Sequence, residues 1–277
     1  MHTHHWKLPN TSNCKDNPLN NRRFEVLKEE IMSRIFITGD VHNSIDVTKL
    51  STKNFPEQKE LNREDIVIVA GDFGFPWVYG ESPEDAYWLD WFTERNYTLV
   101  FADGNHENFD ALYEYPETVF RGAKCHQLRE NVFHVKRGEV LEIGKHKILF
   151  MGGAESVDKA YRREFTSWWS QEIPTKEEWD NCFENISKAN IIVSHDCPTS
   201  VTDIIYEGHD NSPFSVTYRK PPSTVNRMFE ELLYKIKEEN IPIKNWFFGH
   251  HHRNQVINYE GIEFNLLYKE ILELKEK

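Results

Sequence analysis

Apolar and polar residues follow two rhythms along this chain, and the rhythms mark out most of its elements. Short, nearly continuous apolar runs read as buried strands over 34–39, 65–70 and 97–102. Between the last two, Ser82-Pro83-Glu84-Asp85 predicts a helix start, with Ser82 as N-cap, Pro83 in the first turn and acids at the positive end. Trp88, Leu89, Trp91 and Phe92 give that helix an apolar face, and it should run to about Asn96. A second helix is expected to begin within 107–112. Strands then follow without helices between them at 132–135, 139–143 and 146–151, the last two joined by a hairpin turn at Gly144-Lys145. Thr175 and Glu178 form a capping box for a helix through Trp179, Phe183 and Ile186. A strand over 190–194 precedes a helix over 223–239, whose Val225, Met228, Phe229, Leu232, Leu233 and Ile236 recur at helical spacing. The pattern closes with a strand over 244–249 and a hairpin of 255–259 and 262–268 around Glu260-Gly261.

Two stretches break the rhythm. Residues 1–31 read as an N-terminal extension: a solvated tail with His2, His4 and His5, an Asn/Pro-rich loop, and a short helix over 24–31. The compact domain is expected over 32–277. Residues 197–222 hold four prolines among Ser, Thr and Asn, and are expected to form a long loop over the site, placed as a lid would be. Mixed βαβ units and hairpins imply an α/β fold with two packed mixed sheets flanked by helices.

At 277 residues the chain can bury a substantial core, and its net charge of −12 argues against a broad basic surface for duplex DNA. Its apolar runs are strand-sized, far from the ~20 residues of a spanning helix, and the N-terminus has no apolar signal core, so no membrane partner is expected. Cys14, Cys125, Cys182 and Cys197 lack CxxC spacing and read as free thiols of a reducing, cytoplasmic compartment.

The chemistry lies where the strands end. Five apolar runs finish in metal-binding side chains: Gly39-Asp40-Val41-His42, Gly71-Asp72, Gly104-Asn105-His106-Glu107, Ser194-His195-Asp196 and Gly249-His250-His251-His252. On an extended segment His250 and His252 share a face and His251 points to the other, outside the ligand set though within reach of a substrate. Asp40, His42, Asp72, Asn105, His195, His250 and His252 make an O/N donor set without thiolate, suited to Mn, Fe, Zn, Ni or Co. Seven donors, one a carboxylate able to bridge, suggest two divalent ions roughly 3.5–4 Å apart, a spacing that clamps a phosphoryl group and activates water. His106 is left as a candidate general acid for the leaving oxygen. Glu107 is expected to support a helix N-terminus, and Asp103 and Asp196 to hydrogen-bond behind the ligands.

In this order the motifs resemble those of the calcineurin-like metallophosphoesterases, from Thr38 to His252. The resemblance implies a four-layer α/β/β/α sandwich with a binuclear centre at the strand ends. Asp40, His42 and His252 would hold the first ion, for which manganese is the leading expectation. Asn105, His195 and His250 would hold the second, with Asp72 bridging, metal-bound hydroxide as nucleophile, and His106 on the scissile phosphate as general acid. Where that family usually carries Gly-Asp-x-x-Asp, this chain reads Gly71-Asp72-Phe73-Gly74-Phe75, without the supporting acid. Asn43 follows His42 and no Asp-Arg-Gly occurs, which sets the chain apart from the Ser/Thr protein phosphatase branch.

Two further stretches bear on substrate. Gly152-Gly153, followed by Lys159, Arg162 and Arg163, offers close backbone approach and cations for a phosphate, with Arg162 the candidate; the alternative is a solvated surface loop. Phe73, Phe75, Trp77 and Tyr79 either stack a nucleobase or pack as wall. The expected partner is a phosphoester, with a nucleotide or nucleic acid in view, and the leaning is to a phosphodiesterase or nuclease. A phosphomonoesterase or protein phosphatase is the alternative reading, and a catalytically silent binding scaffold the alternative of another class.

Overall fold

Side-chain alternation along each buried strand decides how the layers stack. In β1 (Ile35–Thr38), Ile35 and Ile37 face one core while Phe36 faces another; in β2 (Ile66–Ala70), Ile66 and Ile68 divide from Val67 and Val69 in the same way. This is the period of two expected of a strand buried on both faces. The computed structural model describes residues 33–207 and 222–275, so the expectations for residues 1–31 and for 208–221 of the long loop lie outside the described residues.

The strands continue as β3 (Thr98–Ala102), β4 (Glu117–Phe120), β5 (Ala123–Arg129), β6 (Val132–Val135), β7 (Val140–Ile143) and β8 (His146–Met151). They end with β9 (Ile191–Ser194), β10 (Asn245–Phe248), β11 (Gln255–Tyr259), β12 (Ile262–Leu266) and β13 (Leu272–Glu273). The helices are α1 (Pro83–Thr93), α2 (Phe109–Leu112), α3 (Lys176–Asn185), α4 (Thr199–Tyr206) and α5 (Thr224–Glu238). One sheet has the order β13-β1-β2-β3-β6-β5-β4 and the other β11-β12-β10-β9-β8-β7. β1, β2, β3 and β6 pair in parallel, as do β8, β9, β10 and β12, while β4, β5, β7, β11 and β13 join antiparallel.

Both sheets contribute to the central core, in which Ile37, Ile68 and Val100 meet Phe150, Val193 and Phe247. Leu89 and Phe92 of α1 cover the outer face of the first sheet. Trp179 of α3, Val201 of α4 and Phe229 of α5 cover the second, against Ile192 and Trp246. The result is the expected sandwich of two mixed sheets between helices. Ser82, Thr175 and Ser223 each cap their helices in a reciprocal capping box, a contribution of about 1 kcal/mol apiece.

Two features depart from the expectations. β4, β5 and β13 were not anticipated; β4 alternates exposed and half-buried positions at a sheet edge, and β13 is two residues long, so neither leaves an apolar run to read. Part of the segment expected to be loop is helix α4, which buries Val201 and Ile205 four residues apart. Its flanking prolines mask the helix in the sequence: Pro198 sits at the N-cap, where its ring is tolerated, and not inside a turn.

Candidate metal centre

The parallel strands of both sheets end at one rim, the usual place for a site in an α/β fold. Beyond β1 stand Asp40 and His42, beyond β2 Asp72, and beyond β3 Asn105 and His106; from the second sheet come His195 beyond β9 and His250 and His252 beyond β10. Donor atoms of Asp40, His42, Asp72 and His252 lie within 4.8 Å of one another. Asp72 is the hub. Its Oδ2 is 3.2 Å from His42 Nε2, and its Oδ1 is 3.2 Å from His195 Nε2 and accepts the His106 backbone N–H at 2.7 Å. His195 Nε2 also lies 3.2 Å from Asn105 Oδ1, while the His250 ring packs edge-on against His195 at 5.1 Å.

Several ligand candidates are held from behind. His42 Nδ1 meets Asp46 at 3.0 Å, His195 Nδ1 meets the Ala70 carbonyl at 3.0 Å, and Asn105 donates to Ser156 Oγ at 3.1 Å. Such contacts fix which ring nitrogen faces the cluster. The His252 ring stacks on Tyr268 at 4.9 Å, with its Nε2 3.2 Å from His42 Nε2. Lys49 was not singled out in the sequence. Its ammonium donates to the carbonyls of Gly39 and Asp40 at 2.6 Å and of Tyr268 at 2.7 Å, tying the Asp40 loop to the far side of the site. Burial pushes that amine down to about 8.

The last cluster does not continue its strand as the two-residue spacing predicts. β10 stops at Phe248, and His250 and His252 reach the site from a turn with φ of +69° and +50°, not from an extended segment. His42 and Asp72 share this left-handed conformation, at +48° and +50°. Polar Asp and His tolerate it better than branched residues, at a cost of order 1 kcal/mol each. At Gly104 a Cβ would lie 2.0 Å from Asp72 Oδ1, so only glycine lets the β3 loop pass beneath that carboxylate.

The donors suit divalent cations. Asp40 Oδ2 is buried and has no hydrogen-bond partner among the described residues, although Asp40 Oδ1 accepts the His250 N–H at 2.9 Å. A buried orphan carboxylate oxygen is costly unless a cation meets it. Burial opposes ionisation of Asp72, but His195 and His42 outweigh it and hold the carboxyl well below its usual range. Burial works against protonated His195 too, yet Asp72 and Asp40 raise it, the effect a divalent ion would exploit by displacing the proton. His250 is pushed by burial down to about 3 and His252 is also lowered, leaving neutral imidazoles with lone pairs to give.

His106 and Arg162 lie together, the guanidinium nitrogens 3.3 Å from His106 Nδ1 and 3.1 Å from Nε2, with Asp158 anchoring Arg162 Nε at 2.8 Å. Burial lowers His106, and Arg162 adds to the effect against the pull of Asp72. His251 Nδ1 meets the Tyr206 hydroxyl at 3.1 Å, and its Nε2 lies 3.4 Å from Asp196 and 3.7 Å from Cys197 Sγ. Two expectations change here. Glu107 does not cap a helix, a role taken by Asn108; its two oxygens accept the Phe73 and Gly74 N–H groups at 2.9 Å each, bracing the loop that carries Asp72. Asp103 backs no ligand, since its carboxylate meets Arg137 and His134. Phe73 and Phe75 are fully buried in the outer core of the first sheet, so they pack as wall and cannot stack a base.

The calcineurin-like phosphoesterase family profile matches residues 33–254, and the chain belongs to that family. The family is named for phosphoester hydrolysis, and the cluster of Asp40, His42, Asp72 and His252 could hold a metal ion. No curated protein matches it. Among solved structures it is similar to a Staphylococcus aureus protein described as a candidate 5′-nucleotidase, with 12% identity, TM-score 0.44, and 87% of this chain and 50% of that one covered. It is also similar to the phosphopantetheinyl hydrolase of Mycobacterium tuberculosis, with 16% identity, TM-score 0.38 and coverage of 86% and 90%. GAP50, the anchor in the inner membrane complex of Plasmodium, matches with 12% identity, TM-score 0.46 and coverage of 85% and 71%. The chain thus spans half the length of the Staphylococcus structure. No helix among the described residues is long and apolar enough to cross a membrane.

Proposed function

We propose that this chain hydrolyses a phosphodiester at a binuclear centre loaded with manganese. Asp40, His42 and His252 would hold one ion and Asn105, His195 and His250 the other, with the Asp72 carboxylate available to both. The observation that carries this reading is the grouping of Asp40, His42, Asp72 and His252, which His195 joins through Asp72 and to which Asn105 and His250 connect through His195, with Asp40 Oδ2 left without a hydrogen-bond partner among the described residues. When bound, two such ions stabilise charge on the phosphoryl oxygens and activate water.

The remaining work falls to the chain. Arg162 binds the phosphate and neutralises part of its charge. His106, its backbone fixed by Asp72 Oδ1, presents its ring beside that phosphate. In the free protein Arg162 adds to the lowering of His106; a phosphate bound beside both would offset that charge and favour an imidazolium protonated from solvent, which gives its proton to the leaving oxygen. The absence of Gly after His42 and of Asp-Arg-Gly favours a diester over a phosphoprotein. Buried Cys125, Cys182 and Cys197 are free thiols, which supports a cytoplasmic setting.

The test is turnover of bis-p-nitrophenyl phosphate and p-nitrophenyl phosphate by manganese-loaded protein. His106→Asn should keep its metal and lose activity by roughly 10²–10⁴-fold. A well-metallated protein inert toward a broad phosphoester panel would overturn the proposal and leave a binding scaffold.

A further inference from the structure

Rings line up across the site. His106, beside Arg162, lies 5.4 Å from His42, which lies 4.8 Å from His252, which stacks on Tyr268. Beyond His252 opens a groove of about 570 Å³, lined by His252, Arg253, Asn254, Gln255, Tyr268 and Lys269. The groove is shallow and open to solvent, with more room than one phosphate fills. In a chain of net charge −12 its charged lining residues are both cations, Arg253 and Lys269, and none is an acid. Neither makes an ion pair among the described residues. Arg253 donates to the Ile205 carbonyl at 3.2 Å and lies over the Tyr206 ring, and the Lys269 ammonium lies 5.6 Å from the Tyr268 ring centre.

The walls are fixed to each other. Asn254 Oδ1 accepts the backbone N–H groups of Tyr268, Lys269 and Glu270 at 2.8, 3.2 and 3.3 Å, joining the loop after β10 to the loop after β12. In an in-line displacement the non-leaving ester oxygen stands at roughly a right angle to the leaving group, so its arm runs to one side of the His106 end, and the groove at the His252 end offers it space and positive charge.

We propose that this groove binds the non-leaving arm of a phosphodiester, and that the arm carries a second anionic group, as in a nucleotide bearing a further phosphate. This rests on the phosphoesterase reading above and narrows its substrate class. Arg253 and Lys269 meet the distal anion by charge-assisted hydrogen bonds.

The experiment is calorimetric titration of the manganese-loaded protein with thymidine 5′-monophosphate and thymidine 3′,5′-bisphosphate, repeated on Lys269→Glu. The bisphosphate should bind about tenfold more tightly to the native chain, and the charge reversal should shrink that gap below about twofold. Lys269 is exposed, so the variant has no core to disturb. Equal affinity for the two ligands, or a gap that survives Lys269→Glu, would overturn the proposal. Turnover of thymidine 5′-(p-nitrophenyl phosphate), measured in parallel, separates the two readings. A kept preference without turnover supports the subsite while contradicting the hydrolytic role.

Discussion

Replacing Asp103 by asparagine should destabilise the fold by about 3 kcal/mol while leaving bound metal unchanged. The carboxylate is fully buried; its Oδ2 accepts from Arg137 Nε at 2.9 Å and Nη2 at 2.5 Å, and its Oδ1 meets His134 Nε2 at 3.1 Å. Burial opposes the charge, yet Arg137 and His134 hold the carboxyl well below its ordinary range. Removing one member of such a buried pair typically costs ~3–5 kcal/mol because the other charge is stranded. Arg137 keeps Glu178 at 3.0 Å and the Gln171 carbonyl at 2.9 Å, which places the loss at the lower end. A carboxyl depressed in the folded state stabilises above its unfolded pKa of ~3.9 and loses that stabilisation as pH falls through the folded value, so the whole effect is present at pH 7. Urea unfolding of Asp103→Asn, Arg137→Met and the double variant gives the coupling, expected to exceed about 1.5 kcal/mol. A loss below about 1 kcal/mol would refute the pairing. Loss of metal from a folded variant would move Asp103 into the ligand set.

Two other outcomes follow from the same geometry. Arg162→Ala should raise KM for phosphodiesters by about tenfold, and an unchanged KM and kcat would remove Arg162 from the phosphate site. His126, facing His134 at 3.0 Å, is pushed by burial down to about 4. Its folded pKa lies below the unfolded value of ~6.5, so its contribution is complete above pH 6.5 and lost as pH falls toward 4. The shift corresponds to at most ~3 kcal/mol, roughly half that after allowing for solvent beside the ring. Thermal unfolding should show a fall across this window that His126→Gln flattens, and identical profiles would contradict it.

What the sequence revealed about the site and what it hid have separate physical causes. The strands carrying Asp40, Asp72, Asn105, His195 and His250 are buried on both faces, so each is an unbroken apolar run whose polar terminus stands out. β4 and β13 lie at sheet edges with few buried side chains, and nothing in their pattern distinguishes them from loop. The spacing of His250 and His252 pointed to a shared pocket, but the left-handed turn that achieves it depends on Gly249, the Asp40 carboxylate and the His195 carbonyl, contacts made only in the fold. Lys49 was illegible for a related reason: a lysine beside Val47 and Leu50 reads as a surface cation, and only the meeting of the Gly39-Asp40 and Tyr268 carbonyls gives it a buried role. Glu107 reads as support for the nearest helix because its partners, Phe73 and Gly74, lie more than thirty residues away.

The central claim is that Asp72 joins two cation sites built from five strand ends. Elemental analysis of manganese-loaded, dialysed protein measures it directly, on the native chain and on Asp72→Asn. About two ions per chain are expected in the native protein and fewer than about one in the variant, since the two proposed sites would share that carboxylate. A native chain that retains no metal, or a variant that binds as much as the native chain, would contradict the account.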